Sequence, residues 1–203
     1  NEVHGVARFS RPERQEQVEQ SGVTAWKMDM GKESPDKLPT DFDYVIHEAV
    51  AWGGDEDLQE QNESFHLSCQ FVGDLMYRNE NATFALMSTG SVYKHIDGLC
   101  KEDETPVAPK GTYCLSKICM DQVAKWIGTT FNRPWVVLRY YFPFAPYSPH
   151  PKVDKALEGR CGGNPARAHQ RTYIQNHVFF TLKALEYAQP EGEIFNSVTT
   201  EDI

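Results

Sequence analysis

"TFALMSTGSVY", residues 83–93, decides how the chain is read. Thr83–Leu86 is an apolar run of strand character that ends in Ser88, Thr89, Gly90 and Ser91 before Val92–Tyr93 resumes it. Small hydroxyl and glycine residues at a strand's C-terminal tip fill a core poorly. They suit a place where a polar ligand must be hydrogen-bonded at close range.

Around this run the chain alternates. Strands are expected at 2–8, 23–30, 43–51, 83–88, 134–141 and 192–198, and helices at 12–22, 62–79, 112–131 and 175–188. The third strand, "DYVIHEAVA", is near-continuously apolar, which predicts burial on both faces. In the helix at 112–131, Leu115, Ile118, Cys119, Val123 and Ile127 are expected on the packed side. Strand–helix alternation at this spacing predicts an α/β sandwich on a doubly wound parallel sheet with right-handed crossovers. Ligands collect at the C-terminal ends of such strands, where "STGSVY" and "HEAVAWGG" (47–54) both lie.

The 203 residues are 40% hydrophobic and 24% charged, which fits one globular domain with a small appendage. A net charge of −9 disfavours nucleic acid and anionic membrane as partners. No apolar stretch approaches the ~20 residues of a membrane helix. Cys69, Cys100, Cys114, Cys119 and Cys161 are odd in number and form no C-x-x-C pair, so a reducing, cytoplasmic compartment is expected. Asn62–Glu63–Ser64 and Asn81–Ala82–Thr83 are read as chance glycosylation matches. The seven histidines show no metal-binding spacing, and no metal is expected. His47 reads as a satisfied core histidine or a cofactor neighbour.

"YCLSK" (113–117) places Tyr113 and Lys117 on one face of a helix, four residues apart. An ammonium near a phenol favours the phenolate and lowers its pKa from ~10, giving a proton-transfer group usable near neutrality.

With the hydroxyl-rich strand tip upstream, "YCLSK" resembles the Y-x-x-x-K motif of the short-chain dehydrogenase/reductase superfamily. The branch resembled is the extended one, the NAD(P)-dependent epimerases and dehydratases, and the resemblance covers nearly the whole chain. "STGSVY" is similar to S-[ST]-x-x-V-Y-G, "VIHEAVA" to V-x-H-x-A-A, "NESFH" to N-x-x-G-T, "VVLRYYFPFAP" to L-R-x-x-N-x-Y-G-P, and "RTYIQNHV" and "EIFNSV" to two later stretches. The resemblance implies a Rossmann-like fold over 1–142, a substrate-binding segment at 143–175 and a returning helix and strand at 176–203. It implies Thr89, Tyr113 and Lys117 as the catalytic set, and cofactor contacts from Arg8, Asp29, Met30, His47, Ala49, Asn62 and Ser88 as well as Tyr113 and Lys117. Substrate contacts fall to Ser91, Phe142 and Arg171. The substrate implied is a nucleotide sugar, with a small ketone or aldehyde, or a non-catalytic dinucleotide-binding scaffold, as alternatives. A homodimer through helices 62–79 and 113–131 is implied too.

The family's first strand and G-x-x-G-x-x-G loop have no counterpart here, since neither "WGGDE" nor "GRCGG" follows a strand and opens a helix. A fragment of a longer protein is therefore expected. Phe142, Ala145, Asn176 and Lys94 depart from the family pattern in ways that bear on the substrate. NAD or NADP is the cofactor, and "VARFSR" leans to NADP because Arg8 and Arg11 stand where NAD-specific members carry an acid. Arg139 is expected to brace the loop around Pro143–Pro146. The aromatic cluster of Tyr140, Tyr141, Phe142, Phe144 and Tyr147 reads equally as pocket lining or as core.

Overall fold

Every strand pairing within the named strands is parallel, so paired strands must be joined by crossovers. The computed structural model describes residues 2–51, 57–94, 100–141, 143–144 and 172–197. In chain order it contains β1 (Val3–Ala7), α1 (Pro12–Gln20), β2 (Val23–Lys27) and β3 (Tyr44–His47). A helical rod follows, made of α2 (Leu58–Phe65), a π-helical segment (His66–Phe71) and α3 (Val72–Arg78). Then come β4 (Thr83–Thr89), α4 (Thr112–Phe131), β5 (Trp135–Tyr140), β6 (Pro143–Phe144), β7 (Thr172–Tyr173), α5 (Ile174–Tyr187) and β8 (Glu193–Ser197). The main sheet has the order β3–β4–β5–β8, while β1–β2 and β6–β7 form separate two-stranded sheets. Helices supply the crossovers of the β1–β2, β3–β4, β4–β5 and β5–β8 pairs.

Strand periodicity divides the core. On β4, Phe84 and Leu86 point to one face and pack with Val72 and Met76 of α3 and Met120, Ala124 and Ile127 of α4. Ala85 and Met87 point to the other and meet Ala184 and Leu185 of α5. The expected α/β architecture with helices on both faces of a parallel sheet is what these residues build. A third cluster, Met28, Leu38, Phe71 and Leu75, ties the β1–β2 sheet to the helical rod.

Three expectations need correction. β3 is not buried on both faces: Tyr44 is 62% and Ile46 43% exposed. Only Val45 and His47 turn towards the helical rod, and α5 lies over β4 and β5 rather than β3. The second helix begins at Leu58, not 62, because Asp57 accepts hydrogen bonds from the Gln59 and Glu60 amides and caps it. The packed face of α4 is only partly the one expected. Ile127 is buried and Val123 packs on the same cluster, but Leu115 is exposed, and the buried stripe also runs through Cys114, Lys117, Met120, Asp121, Ala124 and Gly128. Apolar spacing alone missed part of this stripe because two of its members are charged.

Trp135, at the start of β5, is enclosed by glycines. Gly128 of α4 and Gly192 before β8 both lie so close that a Cβ would stand 2.2 Å and 1.8 Å from its ring, and the indole N–H donates to Pro190 O at 3.1 Å. Gly192 also has φ +69°. Gly192→Ala is expected to destabilise the fold by at least about 2 kcal/mol, from strain and overpacking together. A urea midpoint equal to the parent's would contradict this packing.

Candidate active site

The C-terminal ends of β3 and β4 and the first turns of α4 converge. At the tip of β4, Thr89 caps the short turn Gly90–Val92, its Oγ1 accepting from Ser91 N at 3.2 Å. Gly90 is required here by close approach, since a Cβ would lie 2.3 Å from the Tyr141 ring. The Tyr113 phenol stands near enough to the Thr89 side chain for that hydroxyl to pull its pKa down, which brings together two of the three expected catalytic residues. Lys117, one helical turn on, is 2% exposed, and its Nζ donates to Ala49 O beyond the end of β3 at 3.4 Å.

Electrostatics depart from expectation at Tyr113. Burial pushes its phenol above the ordinary value, the Thr89 hydroxyl pulls it back in part, and Lys117 is not among the groups that act on it. The expected depression by lysine is therefore absent from this geometry, in which the ammonium runs to Ala49 O instead. Lys117 itself is pushed down to about 8 by burial, against the opposing pull of Asp121 and Cys69. Desolvation, aided by the Lys117 charge, holds His47 neutral, at about 3.

Sequence reasoning missed the network under the lysine. Asp121 accepts from Arg139 Nη2 at 2.8 Å with both side chains buried. Arg139 Nη1 donates to Tyr93 Oη at 2.7 Å, and Tyr93 Oη donates to Asn196 Oδ1 at 2.8 Å. Asn196 in turn is fixed by Cys100 O at 2.9 Å and Glu102 Oε1 at 2.7 Å. Arg139 thus braces α4 and the Tyr93 segment; the loop around Pro143–Pro146 that it was expected to brace lies largely outside the described residues. The available signal was the constant step of four along Tyr113, Lys117 and Asp121. Burial pushes the Asp121 carboxyl above the ordinary carboxylate value, and Arg139, followed by Ser88 beside it in the β4–β5 register, pulls it back, although neither Ser88 Oγ nor Asp121 Oδ1 closes a well-formed hydrogen bond.

The remaining expected residues spread along one edge. Arg8, Lys27, Met28, Asp29 and Glu33 line a cavity of about 230 Å³ at the ends of β1 and β2. Asp29 Oδ1 accepts from Gly31 N, and Met30 packs beneath on the third core cluster. Asn62 is exposed on α2, next to Glu63, whose 3.0 Å ion pair with Lys32 links that helix to the β2 end. Ser91 is exposed beside Thr89. Tyr140 is not free pocket lining: its ring stacks edge-on against His177 at 3.8 Å and its hydroxyl meets Thr181. Phe142, Tyr147 and Arg171, and the stretches "WGGDE" and "GRCGG", lie outside the described residues, as does the Phe144 side chain.

The arrangement suits a dinucleotide laid along the strand ends. A polar-lined cavity opens at β1–β2, and a buried cation with one long hydrogen bond stands at β3–β4. His47 Nε2 and Ser88 Oγ are buried there without hydrogen-bond partners. The chain belongs to the NAD-dependent epimerase/dehydratase family, whose model matches residues 1–196. Solved structures share its Rossmann-like fold. UDP-glucuronic acid 4-epimerase from Bacillus cereus in complex with NAD superposes with a TM-score of 0.81 at 23% identity, over 98% of this chain and 70% of that one. UDP-N-acetylglucosamine 4-epimerase from Methanobrevibacter ruminantium M1, in complex with UDP-N-acetylmuramic acid, gives 0.81 at 18% identity, over 100% and 70%. dTDP-glucose 4,6-dehydratase from Bacillus anthracis gives 0.77 at 16% identity, over 98% and 67%. No curated protein sequence matches the chain. Among the described residues no helix is long and apolar enough to cross a membrane.

Two buried neutral histidines set an acid limit on stability. His47, at about 3, and His177, lowered by burial to about 4, both titrate below the ~6.5 of an unfolded histidine. The unfolded chain therefore takes up protons first as pH falls, and stability is present above ~6.5 and lost towards 4. Each histidine contributes about 1.4 kcal/mol per pH unit in that window. His47→Leu is expected to flatten the decline in urea midpoint between pH 6.5 and 5; an unchanged slope would show that His47 is protonated in the folded state.

Proposed function

We propose that the chain carries the acid–base centre of an epimerase or dehydratase that acts on a hydroxyl or keto carbon of a nucleotide sugar. The observation behind this is the placing of Tyr113 beside Thr89 at the strand tip, one helical turn from a buried lysine. Tyr113 gives or takes the proton of the substrate oxygen, and Thr89 orients that oxygen as a preorganised hydrogen-bond partner. With its phenol raised above the usual value, Tyr113 rests protonated at neutral pH, in the state that donates. Lys117 presents its charge to the cofactor ribose, and Ser91, Phe142 and Arg171 are assigned to the substrate. A nicotinamide dinucleotide supplies hydride transfer when bound. The cavity at β1–β2 would hold its adenosine end, with Asp29 and Met30 at the adenine, and His47, Ala49, Asn62 and Ser88 along its length. Arg8 and Lys27 at that cavity can both receive a 2′-phosphate, which favours NADP over NAD.

The family match supports an NAD-dependent epimerase or dehydratase as a class, and the solved structures named above are of enzymes named for UDP- and dTDP-sugars. A second copy of the chain is the proposed partner. Tyr77 of α3 and Trp126 and Phe131 of α4 form an exposed aromatic cluster, with Trp126 63% exposed. Such a patch fits a dimer contact between paired helices.

Tyr113→Phe removes the hydroxyl and keeps the ring. Turnover of UDP-sugars, followed by product chromatography, is expected to fall at least ~100-fold with cofactor affinity retained. Full turnover in the variant would end the mechanism, and cofactor binding without turnover of any sugar nucleotide by the parent would favour a scaffold. Arg8→Ala is expected to weaken NADP more than NAD; equal losses would withdraw the NADP preference. Trp126→Asp is expected to shift the light-scattering mass from dimer to monomer, and a monomeric parent protein would contradict the pairing.

A further inference from the structure

We propose that Asp121 is a positioning residue for Lys117: clamped by Arg139 one helical turn beyond the lysine, its carboxylate keeps the buried ammonium charged and leaves it free to serve the strand tips. This rests on the reading of Tyr113 and Lys117 as the acid–base pair.

A lysine this deeply buried loses its proton unless a negative charge compensates for the lost water. The groups around Lys117 can be taken in turn. On its own helix stand Tyr113, whose phenol is neutral at pH 7, and Asp121. From the π-helical segment comes Cys69, with Cys119 of α4 beside it; burial pushes the Cys69 thiol up to about 11, so it carries no charge near neutrality. From β3 come His47, held neutral, and Ala49 O beyond it. From β4 and β5 come the Ser88 hydroxyl and the Arg139 cation, both directed at Asp121. Among the described residues, Asp121 is thus the carboxylate that supports the lysine charge.

Arg139 explains why this support does not become capture. Asp121 Oδ2 is committed to the guanidinium at 2.8 Å, and among the described residues no ion pair closes between Asp121 and Lys117. The carboxylate therefore acts through space. Among the described residues the ammonium makes one hydrogen bond, the 3.4 Å contact with Ala49 O, long enough to exchange for a ligand hydroxyl. Without Arg139 the carboxylate would be free to fold back on the lysine and draw it from the β3–β4 tips. Tyr93, Asn196 and Glu102 fix the arginine from the other side, so the clamp is anchored to β8 rather than to a mobile surface chain.

Cofactor affinity measured by fluorescence titration from pH 6 to 9.5 tests this, in the Tyr113→Phe background so that the phenol does not titrate. Affinity should fall at alkaline pH as Lys117 deprotonates. Asp121→Asn is expected to move that fall down by about one pH unit, a roughly tenfold weaker affinity on the alkaline side with little change at pH 6. Asp121→Glu should restore the parent curve, which a merely structural role would not require. Asp121→Asn leaves Arg139 buried without its charge partner. The double variant Asp121→Leu/Arg139→Met replaces the pair with apolar side chains of similar size, a change buried ion pairs commonly tolerate, and it should show the same shift. A folded double variant with an unmoved alkaline fall would overturn the proposal while leaving the acid–base reading intact. Absence of cofactor binding by the parent at every pH would overturn both.

Discussion

β4 is hydrogen-bonded on both sides, to β3 and to β5, and covered on both faces, by α3–α4 and by α5. That double enclosure allows only apolar residues of fixed alternation from Phe84 to Met87, and it fixes where Ser88 and Thr89 emerge. A strand so constrained cannot slip by one residue without exchanging its two faces. The position of the Thr89 hydroxyl is thereby set by the packing of residues that never touch a ligand. α4 packs on the same face, so Tyr113 is carried to Thr89 by the contact of Met120, Ala124 and Ile127 with Phe84 and Leu86.

The site is built by placing charge inside this packing. Lys117, Asp121 and Arg139 occupy positions on α4 and β5 that apolar side chains could fill. Buried charges of this kind cost several kcal/mol each in lost hydration unless geometry repays it. Repayment is partial: Arg139 Nε, Asp121 Oδ1 and Ser88 Oγ remain buried without hydrogen bonds. With His47 Nε2, these are four of the seven buried side-chain atoms without hydrogen bonds among the described residues, and their concentration around one lysine marks a place where stability has been exchanged for a chemical environment.

Much of this was legible in the sequence. Alternation of apolar runs placed six of the eight strands and the main helices, because strand and helix periods differ so sharply. α4 was placed at Thr112–Phe131 from its pattern. The shared helix face of Tyr113 and Lys117 was legible from their spacing, while Thr89 was singled out by the family resemblance, and the structure brings Tyr113 near Thr89. What stayed hidden depended on distance in three dimensions. Asp121 and Arg139 are 18 residues apart, and nothing in either neighbourhood signals that they meet. The charge state of Tyr113 was misread because the four-residue spacing gives a shared helix face but not the direction of a flexible lysine. Exposure of β3 was misread because an apolar strand looks the same whether or not a helix covers it.

The edge of β3 carries one more consequence. Among the described strands it pairs only with β4, and Tyr44 and Ile46 stand open to solvent on its uncovered face. Unpaired amides and carbonyls beside an apolar surface form a template on which another extended chain can add. The open side of β3 has the geometry to accept one further strand, and Tyr44 and Ile46 offer the apolar contact that would hold a cover over it. The strand that shapes the ligand side of the sheet is thus also the place where the sheet can be extended.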